Sequence, residues 1–312
     1  MLLRKAILTA SIAVAATGQP ATWAPPVLGY FYDGTSNAIR MVAGVPGAAS
    51  IDGAVPSAAK LRAAFVAPGR KFAIARTIDE GSLLLDWSRG DVAVRDLASV
   101  VDEVSSVAFS PRGAEAAVAS KSLGKMQIWR GLPDNPALER ELAVSPELFA
   151  VSDDGQLAWI DSSGVFTLDG DTPKLLAAGS FSAIAFRPGT QELAAAGRYN
   201  DSVVSLRAGG DGSPVTLASS DDGIAEPVGL RFSADATQLI VANARSRSAT
   251  ILNIAAHSAT TLACDCDPAL VSGAAGNAVF RITAATGVPL VYVDAGTAEP
   301  RIFHVPVSEV SR

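Results

Sequence analysis

Residues 105–129 read SSVAFSPRGAEAAVASKSLGKMQIW, and most of the chain is a set of variations on this stretch. Val107 to Phe109 is a short apolar run, Ser110-Pro111-Arg112-Gly113 a tight turn, Ala116 to Ala119 a second run, Ser120 to Gly124 a polar turn and Met126 to Trp129 a third run. Proline presets the negative φ at the second position of a turn and glycine accepts positive φ, so apolar runs on either side fold back as antiparallel strands. A meander of three such strands has two apolar faces and cannot cover both alone. It needs copies of itself to stack against.

Working outward, the copies are LRAAFVAPGRKFAIARTIDEGSLLL at 61–85, SAIAFRPGTQELAAAGRYNDSVVSL at 182–206 and VGLRFSADATQLIVANARSRSATIL at 228–252. Phe65, Phe109, Phe186 and Phe232 hold one slot, and a weaker copy at 148–168, with turn Ser152-Asp153-Asp154-Gly155, fills the double gap between the second and third of them. A last copy at 269–293 turns at Gly273 to Asn277. A repeat of roughly 40 residues built from strands marks the blade of a β-propeller. Six units are expected at 61–104, 105–147, 148–179, 180–226, 227–267 and 268–306. Before them, Val27 to Tyr32 and Ala38 to Val42 form a strand pair resembling the third and fourth strands of later units, and 44–60, rich in Gly, Pro, Ser and Ala, reads as a connector.

The fold class is therefore all-β, a propeller of four-stranded antiparallel blades. A mature chain divided by a typical period of ~42 gives about seven blades. Seven requires the N-terminal segment to form a blade, completed by Val305 to Val310; six blades with that pair packed outside is the alternative.

Of 312 residues, 49% are hydrophobic and 18% charged, and 27 Gly and 18 Pro break the apolar runs before any helical period establishes itself. One repeat running through the chain argues for one closed domain at 25–312. Arg4 and Lys5 precede an eleven-residue apolar run, Ala6 to Ala16, followed by small residues. That is the layout of a secretory signal peptide over 1–24, too short to span a bilayer. Removing it takes the formal charge from −6 to −8. With no basic stripe, nucleic acid is not an expected partner. No later stretch would cross a membrane, and the mature protein is expected as a monomer in the periplasm or outside the cell.

The repeats resemble WD40-like and YVTN-type propellers along nearly the whole mature chain. The resemblance rests on Phe109-Ser110-Pro111-Arg112-Gly113, on Phe186-Arg187-Pro188-Gly189 and on Ile128-Trp129 closing a third strand. Unlike true WD40 repeats, the chain has no Gly-His pair, and Trp129 is followed by Arg130 rather than Asp. Such propellers include lactonases as well as scaffolds, so architecture alone assigns no activity.

Chemistry is sparse. His257 and His304 lie in different units with no HxxxH, HExxH or GxSxG spacing, and read as structural. Cys264-Asp265-Cys266 holds both cysteines, which in an exported protein reads as a local disulfide, with free thiols, metal contacts or a redox role as alternatives. The aspartate pairs fall in turns, where a carboxylate caps backbone N–H groups; calcium is the alternative, but no DxDxDG loop is complete. Trp87, Trp129 and Trp159 read as packing between blades. No metal or other cofactor is expected.

One pattern points to a site. The turns between second and third strands carry Arg76, Lys121, Arg198, Arg245 and Arg247, which a propeller gathers on one face as a partial ring of cations for an anionic ligand. The competing reading is neutralisation by Asp102, Glu103, Asp221, Asp222, Glu226, Asp265 and Asp267 in neighbouring loops. The expected role is a non-catalytic binding or scaffolding module for an unidentified protein or glycan. The alternatives are a propeller enzyme of lactonase or glycan-lyase type, with its site at the channel mouth, and a structural protein of the cell envelope.

Overall fold

The computed structural model describes residues 26–306 apart from 58, 80, 98, 145, 211–212, 275 and 286–288. The expected signal peptide and most of the Val305 to Val310 segment lie outside the described residues. Within them the chain forms seven antiparallel sheets in sequence order, spanning 27–54, 61–96, 106–142, 148–178, 181–218, 227–263 and 272–305, here blades 1 to 7. Blades 2 to 7 each have four strands, every strand bonded to the next in the chain, and blade 1 has three described strands.

Seven apolar clusters hold the ring, one at each junction between neighbouring blades. Blades 2 and 3 share Ile74, Leu84, Val118 and Trp129; blades 5 and 6 share Ala194, Ala196, Leu230 and Leu239. The ring closes where Phe31 and Val42 of blade 1 meet Tyr292 and Phe303 of blade 7, and where Ile39 meets Leu85 and Trp87 of blade 2. The composition of the second strands follows from this packing. Ala116 to Ala119 and Ala194 to Ala196 are fully buried, with neighbouring blades against both faces close to the axis. Only small side chains leave room there for two close-packed interfaces.

The hydrogen bond closing the turn between first and second strands fixes the equivalences among blades. It runs from the N–H of Ala67, Ser110, Ser152, Arg187, Ser233 and Ala274 to the carbonyls of Phe72, Glu115, Gln156, Glu192, Gln238 and Val279. Val66, not Phe65, is therefore the counterpart of Phe109, Phe186 and Phe232. The proline-centred turn sets the frame, and the aromatic match one residue earlier is a coincidence of composition.

Blade 1 departs from the expected connector. Ala48–Ala54 is a strand paired with Ala38–Val45, and most of its residues are exposed, as in the outermost strands of other blades. It leads into Leu61, the start of the next first strand, as a fourth strand does. Val27–Asp33 and Ala38–Val45 thus take the second and third positions, one place earlier than the sequence pattern implied. At the turn end of the axis blades 2 and 7 meet directly, since a Cβ placed on Gly69 would lie 3.0 Å from the Ala274 carbonyl oxygen. Seven blades close the outer ring, and six described first strands form the inner one.

The turns of this end are stitched from blade to blade. The Asp153 carboxylate of blade 4 accepts the N–H of Arg112 in blade 3 at 2.7 Å and of Gly189 in blade 5 at 2.9 Å. Asn277 of blade 7 accepts the Asp235 N–H of blade 6 at 2.7 Å, and Arg187 of blade 5 donates to the Ala236 carbonyl of blade 6 at 3.2 Å. Burial works against ionisation of Asp235, yet hydrogen bonds from Ser233, Thr237 and Asn277 hold its carboxyl down at about 2. Asp153→Ala removes two hydrogen bonds to exposed backbone donors that water can then solvate, and is expected to cost about 1 kcal/mol. Asp171→Ala, at a carboxylate that is 90% exposed, is expected to change stability by less than about 0.5 kcal/mol. Urea denaturation of the two variants checks this, and equal losses would refute the bridging role.

Candidate functional site

The five cations singled out in the sequence do lie in or beside the turns between second and third strands, at the opposite end of the blades from the stitched turns. Each is engaged. Arg76 donates to the Val104 carbonyl at 3.1 Å and Arg198 to the Phe181 carbonyl at 3.5 Å. Lys121 pairs with Glu147 at 2.6 Å, and Arg245 pairs with Asp201 of blade 5. Arg247 contacts Asp265 and Asp267 and donates to the Cys266 carbonyl at 2.9 Å. The Glu147 carboxyl is held below its ordinary range by its bond to Lys121, with Arg198 adding a weaker pull. The partners of Arg76, Lys121, Arg245 and Arg247 lie in interblade loops or the neighbouring blade and tie the ring at this end, whereas Arg198 bonds within its own blade.

The Asp265 and Asp267 carboxylates are almost fully exposed, the first within and the second just after the loop closed by a disulfide that joins Cys264 to Cys266. The loop's backbone faces Arg247, and Cys266 packs into the core between blades 6 and 7. His257 sits in a turn with φ of +48°, and His304 is exposed on the last strand. The tryptophans pack as read: Trp87 lies edge-on to Tyr30 at 5.0 Å, Trp159 stacks on Phe166 at 5.7 Å, and Trp129 donates to Gln127 at 3.2 Å.

Side chains that sequence spacing did not single out converge on the axis. A cavity of about 700 Å³ runs along the first strands of blades 2 to 7 and reaches the stitched turns, where Arg70 and Asn277 stand at its rim. Two positions before the first turn residue, the register places Phe65, Ala108, Ala150, Ala185, Arg231 and Ser272 at one level, all of them lining the cavity. Four of the six are small and make the space; the fifth is aromatic. Arg231 is the one charge at this level. The next level holds Val66, Phe109, Val151, Phe186, Phe232 and Gly273, and the glycine falls beside Arg231: a Cβ there would lie 3.1 Å from the Arg231 Nε.

Arg281 reaches the same cavity from the second strand of blade 7, paired in register with Ser272. Its counterparts are Ile74, Ala117, Ala158, Ala194 and Ile240, all core residues. Its Nε and Nη1 are buried without a hydrogen-bond partner, and its guanidinium carbon lies 5.8 Å from the centre of the Phe31 ring. Burial lowers both guanidinium groups from the ordinary arginine value, Arg231 to about 10 against an opposing pull from Asp153. The same surroundings push the Tyr292 phenol up to about 12 against the opposing pull of Arg281. Arginine inside FRI, where sister strands carry Ile or Ala, and inside GLRFS, where they carry Phe, Ala or Ser, was the available sequence signal.

A second charged cluster sits at the junction of blades 3 and 4, near the stitched turns. Glu115, nearly buried, lies 3.6 Å from Arg130, whose Nε also pairs with Glu139. One Glu115 oxygen is buried without a hydrogen-bond donor. Burial raises its carboxyl to about 7, Arg130 opposes the rise, and Glu139, Asp153 and Asp154 add to it. Because the folded value lies above the unfolded one, the contribution to stability is full below about pH 4.5 and is lost as pH rises through about 7. Glu115→Gln is therefore expected to raise the melting temperature relative to the parent at pH 8 and to leave it nearly unchanged at pH 5. A difference independent of pH would refute the assignment.

No protein-family model matches the chain, and no curated protein matches it. Solved structures do. The chain is similar to Hsv2 of Kluyvelomyces marxianus, with a TM-score of 0.53 at 10% identity over 87% of this chain and 93% of that one. A chain of a nidogen/laminin complex aligns with a TM-score of 0.47 at 13% identity, covering 76% of this chain and 93% of that one. At such identities the first likeness speaks for the β-propeller fold alone.

Proposed function

We propose that this chain is an exported, non-catalytic binding module whose ligand sits in the axial cavity. The observation that carries the reading is the lining of that cavity. Among the described residues it combines apolar side chains and exposed strand backbone with Arg70, Arg231 and Arg281, and includes no carboxylate, histidine or cysteine. Its volume of about 700 Å³ falls within the range of small-molecule sites, roughly 300–1,000 Å³. Such a lining offers shape and positive charge, whereas turnover needs a base or nucleophile beside the bound atom.

Export is supported by the Arg4, Lys5 and Ala6 to Ala16 layout, and the Cys264–Cys266 disulfide suits an oxidising compartment. The Phe109 to Gly113 and Phe186 to Gly189 turns support kinship with WD40-like and YVTN-type repeats. In this reading Arg76, Lys121, Arg245 and Arg247 serve as interblade ties and Arg198 as a tie within its own blade, their charges already met by Glu147, Asp201, Asp265, Asp267 and backbone carbonyls.

A thermal-shift screen with acidic sugars, organic acids, lactones and nucleotides tests the reading, because a ligand that binds only the folded state raises the melting temperature. Ala185→Phe blocks the cavity while giving blade 5 the residue that blade 2 carries at the same level, so it should fold. A ligand present at a hundred times its Kd stabilises by about 2.7 kcal/mol, and that gain should vanish in Ala185→Phe. A hit that survives Ala185→Phe places binding elsewhere, and consumption of a lactone during incubation would overturn the non-catalytic role.

A further inference from the structure

The geometry points to a small organic dicarboxylate as the cavity's ligand, one carboxylate on the Arg231 fork at the axis and the other on Arg281 at the wall. This rests on the axial cavity being the binding place. The two guanidinium groups flank the same two-residue inner strand, Ser272–Gly273: Arg281 pairs in register with Ser272, and Arg231 lies against Gly273. Neither group forms an ion pair or a side-chain hydrogen bond among the described residues, and Arg281 has two buried donors left over.

Taking a guanidinium out of water without a partner is costly, and a core arginine is ordinarily kept by a carboxylate or by carbonyl acceptors. Arg112, Arg130, Arg187, Arg245 and Arg247 find carboxylates although they are partly in solvent, where a partner is needed less. At the axis both charges line one cavity, Asp153 acts on Arg231 only through space, and among the described residues no carboxylate is hydrogen-bonded to either. A ligand in the cavity can supply the acceptors that the protein does not.

The planar fork of arginine matches a carboxylate edge to edge, two N–H groups to two oxygens. Glycine at 273, where the other blades carry Val or Phe, keeps the approach to the Arg231 fork open. The ligand's carbon chain then lies over Ala108, Ala150 and Ala185, whose small side chains make the space. Arg70 at the rim adds a third positive charge on the way in, which favours entry of anions into an otherwise acidic molecule.

The test is calorimetry and thermal shift on the mature chain at low ionic strength with succinate, glutarate and adipate, beside butyrate, the neutral diamide glutaramide and inorganic phosphate. Expected is stabilisation by at least one of the three diacids and little by the controls, with Kd rising at least about tenfold in Arg231→Gln and in Arg281→Met. If Arg231→Gln fails to fold, Arg231→Lys keeps the charge and loses the fork, and a loss of about tenfold is expected there too. Diacid binding unchanged in a folded Arg231 variant overturns the inference, as does phosphate or butyrate binding as tightly as the best diacid. A neutral ligand that binds and is blocked by Ala185→Phe, with the diacids inert, overturns the dicarboxylate but keeps the cavity as the binding place. Ligands that bind the parent and Ala185→Phe alike overturn both.

Discussion

Every sheet in this protein is apolar on both faces, and that constraint dictates the rest. A single meander with Ala, Val and Leu on either side can lower its free energy only by taking a neighbour on each face, and a linear stack would always leave two faces wet. Closing the stack into a ring removes both ends at once. The seven junction clusters show the solution at each step, including the last, where blade 1 is covered by blade 7 on one side and blade 2 on the other. Near the axis the blades crowd, so the second strands shrink to alanine; towards the rim the fourth strands meet water and turn polar.

What could be read from the sequence follows from which of these pressures act locally. Turn chemistry is local: Ser110-Pro111-Arg112-Gly113 and Arg187-Pro188-Gly189 announce their turns, and six blades followed from them at the right places. Ring closure is not local. Ala48–Ala54 has mostly exposed side chains and the composition of a loop, because an outermost strand at the closing blade is specified by its pairing with Ala38–Val45 rather than by its own apolar pattern. The one-residue offset between Phe65 and Val66 has the same root, since backbone hydrogen bonds set the frame and side-chain identity only accompanies it.

The candidate site shows the limit more sharply. The turns hold Arg76, Lys121, Arg198, Arg245 and Arg247; four of them have partners in neighbouring blades or interblade loops and Arg198 has one within its own blade. Turn positions are where a long charged side chain is cheapest to keep and easiest to pair, so charge there says little about ligands. Arg231 and Arg281 stand where charge is expensive. Their signal lay in the comparison of equivalent levels, Ala108, Ala150 and Ala185 against Arg231, and Ile74 and Ile240 against Arg281, which needs the register before it can be seen.

The two ends of the ring then differ in what they leave free. At the end of the cationic turns, ion pairs close over the blade junctions and satisfy the charges they use. At the other end the stitching is done by short side chains bonded to backbone, Asp153 to Arg112 and Gly189, and Asn277 to Asp235. Such ties fix the turn positions without filling the axis, and they hold the mouth of the cavity at a set width. A rigid mouth matters because the arginines inside gain from a partner only if they are already aimed at it; a ring free to relax would let Arg231 and Arg281 reach water or a neighbour's carboxylate and quench the site. The same interblade packing that forces closure therefore also holds two arginines without carboxylate partners beside the axial cavity.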